Sequence, residues 1–118
     1  MDQEELKHRT KQFALRIMKL VGALPGTVVG KVISGQLVRA GTSVGANYRA
    51  ACRARSPAEF VSKLGVVEEE SDECGYWMEL IEESGLMPQS KIKLLLQEAD
   101  ELTAIMAASI RTVRRNGK

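Results

Sequence analysis

Four stretches of this chain repeat apolar or small residues at alternating steps of four and three. Only a helix brings such residues onto one face. In residues 3–24 the seam is Leu6, Thr10, Phe13, Ile17, Leu20 and Leu24. In 28–54, Val28, Val32, Gly35, Val38/Arg39, Thr42, Ala46 and Ala50 fall near one stripe. In 57–84 the seam is Phe60, Leu64, Val67, Ser71, Cys74, Met78 and Ile81. In 89–114 it is Ile92, Leu95, Ala99, Leu102, Met106, Ser109 and Val113. Seams this narrow must cover one another. Joined by short turns, they predict an all-α protein: an antiparallel up-down-up-down four-helix bundle, with residues 1–118 as one domain.

Turn residues punctuate these segments. Pro25 cannot continue the first helix, Gly26 frees the turn, and Thr27 can cap the second helix. Ser56 is a good N-cap, Pro57 suits the first helical position, and Glu59 lies in the first turn. Gly85 can stop the third helix, with Pro88 shortly beyond. Arg111, Arg114 and Arg115 fall in the last turns of the fourth helix, where cations complement the macrodipole. Asn116-Gly117-Lys118 reads as a frayed end.

A chain of 118 residues buries roughly two-thirds of its unfolded surface. No apolar run approaches the roughly 20 residues of a membrane span. The acidic, polar opening Asp2-Gln3-Glu4-Glu5 is not expected to be a signal peptide. Cys52 and Cys74 lack metal or redox spacing and are expected to be reduced, buried thiols of a cytoplasmic protein. The net charge of +2 hides an asymmetry: residues 1–63 carry eleven Lys/Arg against four Asp/Glu, while 64–118 carry six against eleven. Residues 64–87 hold eight acids and no base. Such a distribution points to charge pairing between helices or subunits, and to a basic surface for an anionic partner.

Gly41 and Gly45 lie inside the second helical segment, where each glycine costs about 1 kcal/mol against alanine. Four residues apart, they share a face that would let another helix, a subunit or a ligand backbone come close. Arg39, Arg49, Arg53 and Arg55 flank them. The arginine fork suits phosphate as well as carboxylate. Two readings therefore stand side by side: a phosphate contact surface, or ion pairs to the acidic third helix.

Other motifs carry less chemistry. Gly26-Thr27-Val28-Val29-Gly30-Lys31 has three residues between its glycines where a phosphate loop has four, and Val32 where that loop has Ser or Thr. Glu5-Leu6-Lys7-His8 has di-metal spacing, but His8 is the only histidine and such a site needs two of these motifs. Within Glu68-Glu69-Glu70-Ser71-Asp72-Glu73, only pairs such as Glu69/Asp72 and Glu69/Glu73 share a face, which reads as a solvated or intersubunit surface. Tyr76 and Trp77 are expected to pack against a helix or subunit. No nucleophile–base pair or metal constellation can be assembled, so neither an enzyme nor a cofactor is expected.

The run Arg39-Ala40-Gly41-Thr42-Ser43-Val44-Gly45-Ala46-Asn47-Tyr48-Arg49, with Ser56, Phe60, Lys63-Leu64, Glu69-Glu70 and Tyr76-Trp77-Met78-Glu79-Leu80, resembles the four-helix bundle proteins encoded in 23S ribosomal RNA intervening sequences. That family includes the accessory variability protein of diversity-generating retroelements. The resemblance covers nearly the whole chain. It implies an up-down bundle assembled as a homopentameric, barrel-like ring, with nucleic-acid binding through basic surface in some members. Carried over, Gly41, Ser43, Gly45, Asn47 and Tyr48 are packing or interface positions, and Arg39, Arg49 and Arg53 the best polar-site candidates. The chain departs from the markedly basic accessory proteins in its acidic third helix, which favours charge-complementary self-assembly involving Glu69 and Glu73. Two functions are expected on this basis: a ring that binds structured RNA or DNA, or a scaffold that recruits a protein partner.

Overall fold

In the computed structural model, which describes residues 1–116, side-chain caps start three of the four helices. The Glu5 N–H donates to Asp2 Oδ1 at 2.8 Å and opens α1 (Gln3–Gly22). The Gly30 N–H donates to Thr27 Oγ1 at 3.1 Å and opens α2 (Val28–Cys52). The Glu59 N–H donates to Ser56 Oγ at 3.1 Å and opens α3 (Pro57–Glu83), with Pro57 in its first turn. Gly85, at φ +75, ends α3 in the left-handed region, and the Leu86 N–H closes back on the Ile81 carbonyl at 3.2 Å. Each such cap satisfies donors or acceptors that the helix itself leaves open.

The fourth helix starts later than the sequence predicts. Pro88 holds an extended conformation, residues Gln89–Lys91 form a single 3₁₀ turn, and α4 (Lys93–Asn116) comes after it. It runs through Asn116, so of the expected frayed end only Gly117 and Lys118 lie outside the described residues.

The contacts show an antiparallel course. Gly41 lies against Ile17 and Gly45 against Thr10, so numbering rises along α2 as it falls along α1. Gly75 approaches Leu96 and Asp100, while Val61 and Gly65 share a groove with Ile110 and Arg114. α2 packs on α1 and α3, and α3 on α4. The core between them includes Phe13, Ile17, Leu37, Leu64, Met78, Leu102 and Met106, all fully buried. Thr10 and Ser71 are buried with them, and their hydroxyls donate to the carbonyls of Leu6 (2.8 Å) and Val67 (2.9 Å). Among the described residues no buried side-chain nitrogen or oxygen lacks a partner, and no helix is long and apolar enough to cross a membrane.

The stripe expected on α2 is not the buried one. Val28 is 81% exposed, Val32 is exposed too, and Thr42 and Ala46 face outward. The buried face is Ile33, Leu37, Ala40, Gly41, Val44, Gly45, Tyr48 and Ala51. This helix carries small and apolar residues on nearly every side, so its period admits two faces. Backbone approach decides between them, because only the face with Gly41 and Gly45 lets α1 come close. The end of α4 shows a smaller drift: Ile110, not Ser109, completes the buried row. A straight helix of 3.6 residues per turn moves away from a strict seven-residue repeat.

Candidate functional site

The cations divide by whether a carboxylate holds them. Arg9 of α1 binds Glu98 of α4 with two parallel bonds, Nε to Oε2 and Nη2 to Oε1, both 2.7 Å, and reaches Glu101 Oε1 at 2.8 Å. These bonds, that to Glu98 above all, raise the guanidinium further above its ordinary value. Arg39 of α2 donates Nη1 to Glu70 Oε2 at 3.0 Å and Nη2 to Glu73 Oε2, both on α3. Glu73 Oε2 also accepts from Trp77 Nε1 at 2.9 Å, and these donors, the indole first, hold its carboxyl below the usual range. Thus α2 and α3 are bridged by one arginine, and α1 and α4 by another.

Arg49, Arg53 and Arg55 are exposed, and none has a carboxylate within ion-pair distance among the described residues. Arg49 lies in the last turn of α2 and Arg53 caps that helix, its N–H donating to the Ala50 carbonyl at 3.1 Å. Both cations suit the negative end of the helix. Arg55 sits in the turn before α3, and only its backbone N–H is engaged, with Glu59 Oε2 at 3.4 Å. Arg114, near the exposed end of α4, lines a groove of about 640 Å³ with Val61, Ser62, Gly65 and the acids Glu68, Glu69 and Asp72 of α3. The two sequence readings thus separate by residue: Arg39 is ion-paired to α3, whereas Arg49, Arg53 and Arg55 face solvent.

The remaining candidate residues scatter over core, half-buried flanks and exposed surface. Gly41, Gly45 and Tyr48 lie in the core of the bundle, and burial beside Cys52 pushes the Tyr48 hydroxyl far up. Ser43 and Asn47 are half-buried, and Asn47 Nδ2 donates to the Ser43 carbonyl at 2.9 Å. Glu69 is exposed, whereas Glu73 is committed to Arg39 and Trp77. Tyr76 is 54% exposed and meets the half-buried Trp77 edge-on, with ring centroids 5.3 Å apart at 67°. Cys74 is buried, which raises its thiol to about 12, but Cys52 is only half-buried, contrary to expectation, because it ends α2 beside the turn. Among the described residues no three His, Cys, Asp or Glu side chains group as metal ligands.

Sequence reasoning missed the Arg9–Glu98 clamp, which spans 89 positions and leaves no local signal. It also missed that no Asp or Glu occurs from Leu6 to Ala58. That stretch was open to reading, and it means that acids for Arg49 and Arg53 had to come from other helices.

A family model described as the 23S rRNA-intervening sequence protein matches residues 3–108. Among solved structures, the chain is similar to a protein of unknown function from the S23 ribosomal protein family of Bacteroides thetaiotaomicron VPI-5482. The two are 31% identical with a TM-score of 0.86, over 94% of this chain and 99% of that one. No curated protein matches.

Proposed function

The chain belongs to the 23S rRNA-intervening sequence protein family, and from that premise we propose a non-enzymatic, cytoplasmic bundle that assembles as a homopentameric ring and holds structured RNA or DNA by its phosphates. The observation that carries this reading is the trio Arg49, Arg53 and Arg55, exposed and with no side-chain ion pair among the described residues, while Arg9 and Arg39 are each paired with two carboxylates. Guanidinium groups of this kind fit phosphate oxygens two at a time. Tyr76, the one exposed aromatic among the described residues, stands on α3 among acids. The cation cluster therefore offers backbone contacts without base stacking, and such contacts position a nucleic acid without reading its sequence.

Fluorescence anisotropy of labelled structured RNA and duplex DNA, titrated at low and moderate salt, tests this. Binding should weaken steeply with salt through counterion release. It should also weaken for every sequence alike when Arg49 and Arg53 become alanine. Unchanged affinity in that double variant would remove the assigned surface. No binding at low salt, with the oligomer intact, would favour a scaffold that recruits a protein partner.

A further inference from the structure

Two surfaces of this molecule complement each other, and no ion pair joins them within one chain among the described residues. The first is a trough of about 660 Å³ between the end of α1, the α3–α4 connection and the start of α4. Leu20, Leu86 and Leu94 give it an apolar lining, and Arg16, Lys19 and Lys91 stand round it. None of these cations has a carboxylate partner among the described residues. No acid occurs from Ser84 to Gln97 or from Leu6 to Ala58, so every wall of the trough comes from acid-free sequence. Leu94 is 71% exposed at its edge, which leaves an open channel for a helix face rather than an enclosed pocket for a small molecule.

The second surface is the outer side of α3. Glu69, Asp72, Tyr76, Glu79 and Glu83 recur at steps of three and four, and all are exposed. They form one stripe, opposite the buried seam of Leu64, Val67, Ser71, Cys74 and Met78. It presents an aromatic side chain between pairs of carboxylates, none of them in an ion pair among the described residues. Tyrosine with one apolar and one polar end is a frequent anchor at the centre of an interface. α3 packs on α2 and α4, while the trough opens on α1 and the start of α4. The stripe thus stands on α3, whereas the trough is walled by the end of α1, the α3–α4 connection and the start of α4.

We infer that the α3 stripe of one copy docks in the trough of the next, with Tyr76 against the leucines and its flanking carboxylates against Arg16, Lys19 and Lys91. The occupant is a second copy of this chain, because each copy carries both halves of the match. Such a contact is head-to-tail, leaves one half unsatisfied at either end of an open chain, and is satisfied throughout only on closure. It uses a cation cluster distinct from Arg49, Arg53 and Arg55. The inference rests on the ring reading proposed above, and names the surfaces that would build it.

Light scattering of four chains tests it: the unaltered protein, Lys19→Glu with Lys91→Glu, Glu79→Lys with Glu83→Lys, and all four changes together. Circular dichroism checks that each remains helical. Each pair of reversals should reduce the oligomer to single chains, and the fourfold variant should recover it. Tyr76→Ser, which changes no charge, should weaken the oligomer at the same salt. An oligomer that survives both reversals, or one that the fourfold variant fails to recover, overturns this interface and leaves the ring standing. A single-chain mass for the unaltered protein overturns the ring and the interface together.

Discussion

A Cβ added at Gly41 would lie 2.8 Å from Ile17 Cγ2 and 3.1 Å from Ile17 Cβ, so the Ile17 side chain of α1 fills the space that a side chain at Gly41 would need. A methyl group would displace the base of the isoleucine, not merely its tip. Overpacking of this kind costs roughly 1–3 kcal/mol, against a helix-propensity gain of about 1 kcal/mol. At Gly45 the nearest atom is Thr10 Oγ1 at 3.3 Å, and at Gly35 nothing lies within 4 Å. Urea denaturation should therefore rank Gly35→Ala above the unaltered protein, Gly45→Ala below Gly35→Ala, and Gly41→Ala lowest. A Gly41→Ala variant more stable than the parent would contradict the packing described.

The Arg9–Glu98 pair should contribute measurably to stability, unlike most surface ion pairs. Its side chains are 23% and 15% exposed, and its two bonds are parallel. A hydrogen bond to a charged group contributes about 1.5–3 kcal/mol, and partial exposure brings the expected coupling to roughly 1–2 kcal/mol. A double-mutant cycle with Arg9→Met and Glu98→Gln measures it. Coupling near zero would place this pair with the fully solvated ones.

Glu73 gives the protein a component of acid sensitivity. Its folded carboxyl is held low, chiefly by the Trp77 indole and then by Arg39. A depressed carboxyl contributes stability that is present above the ordinary value near 4.3 and is lost as pH falls through the folded value. The stability difference between the parent and Glu73→Gln should thus be largest near neutral pH and shrink on acidification. A difference that stays constant from neutral pH to pH 3 would assign the low carboxyl to some other group.

Arg39 and Arg49 should behave differently in nucleic-acid binding although they lie on one helix. Each lost phosphate contact lowers the slope of log affinity against log salt by about 0.9 on duplex DNA. Arg49→Ala with Arg53→Ala should lower it by about 2. Arg39→Ala should leave the slope unchanged, since its fork is occupied by Glu70 and Glu73. Equal effects from all three positions would mean that nucleic acid displaces those carboxylates.

Much of the architecture was written locally. Thr27, Ser56 with Pro57, and Gly85 act within a few residues of themselves, so the three turns they govern were legible before any contact was known. The seams of α1 and α3 were equally plain, because their buried residues keep the four-three spacing, although Leu15 and Met18 of α1 and Val66 of α3 remain exposed. α2 was not legible in this way. Apolar Val28 and Val32 compete with Ile33 and Leu37, and the choice falls to whichever face another helix can approach most closely.

The site divides along the same line. From the sequence alone came the all-helical class, the turns marked by Thr27, Ser56 and Gly85, the charge imbalance and the candidate arginines Arg39, Arg49, Arg53 and Arg55, though not Arg9. Which of those arginines is free was decided only by the tertiary structure. Arg39 and Arg49 are ten positions apart on one helix, in equally acid-free surroundings. The register of α2 on α3 sets Glu70 and Glu73 opposite the first, while the second has no ion pair among the described residues. Local sequence specifies which charges a helix carries, but an ion pair forms only where packing brings its partner within a few ångströms, and packing belongs to the whole fold.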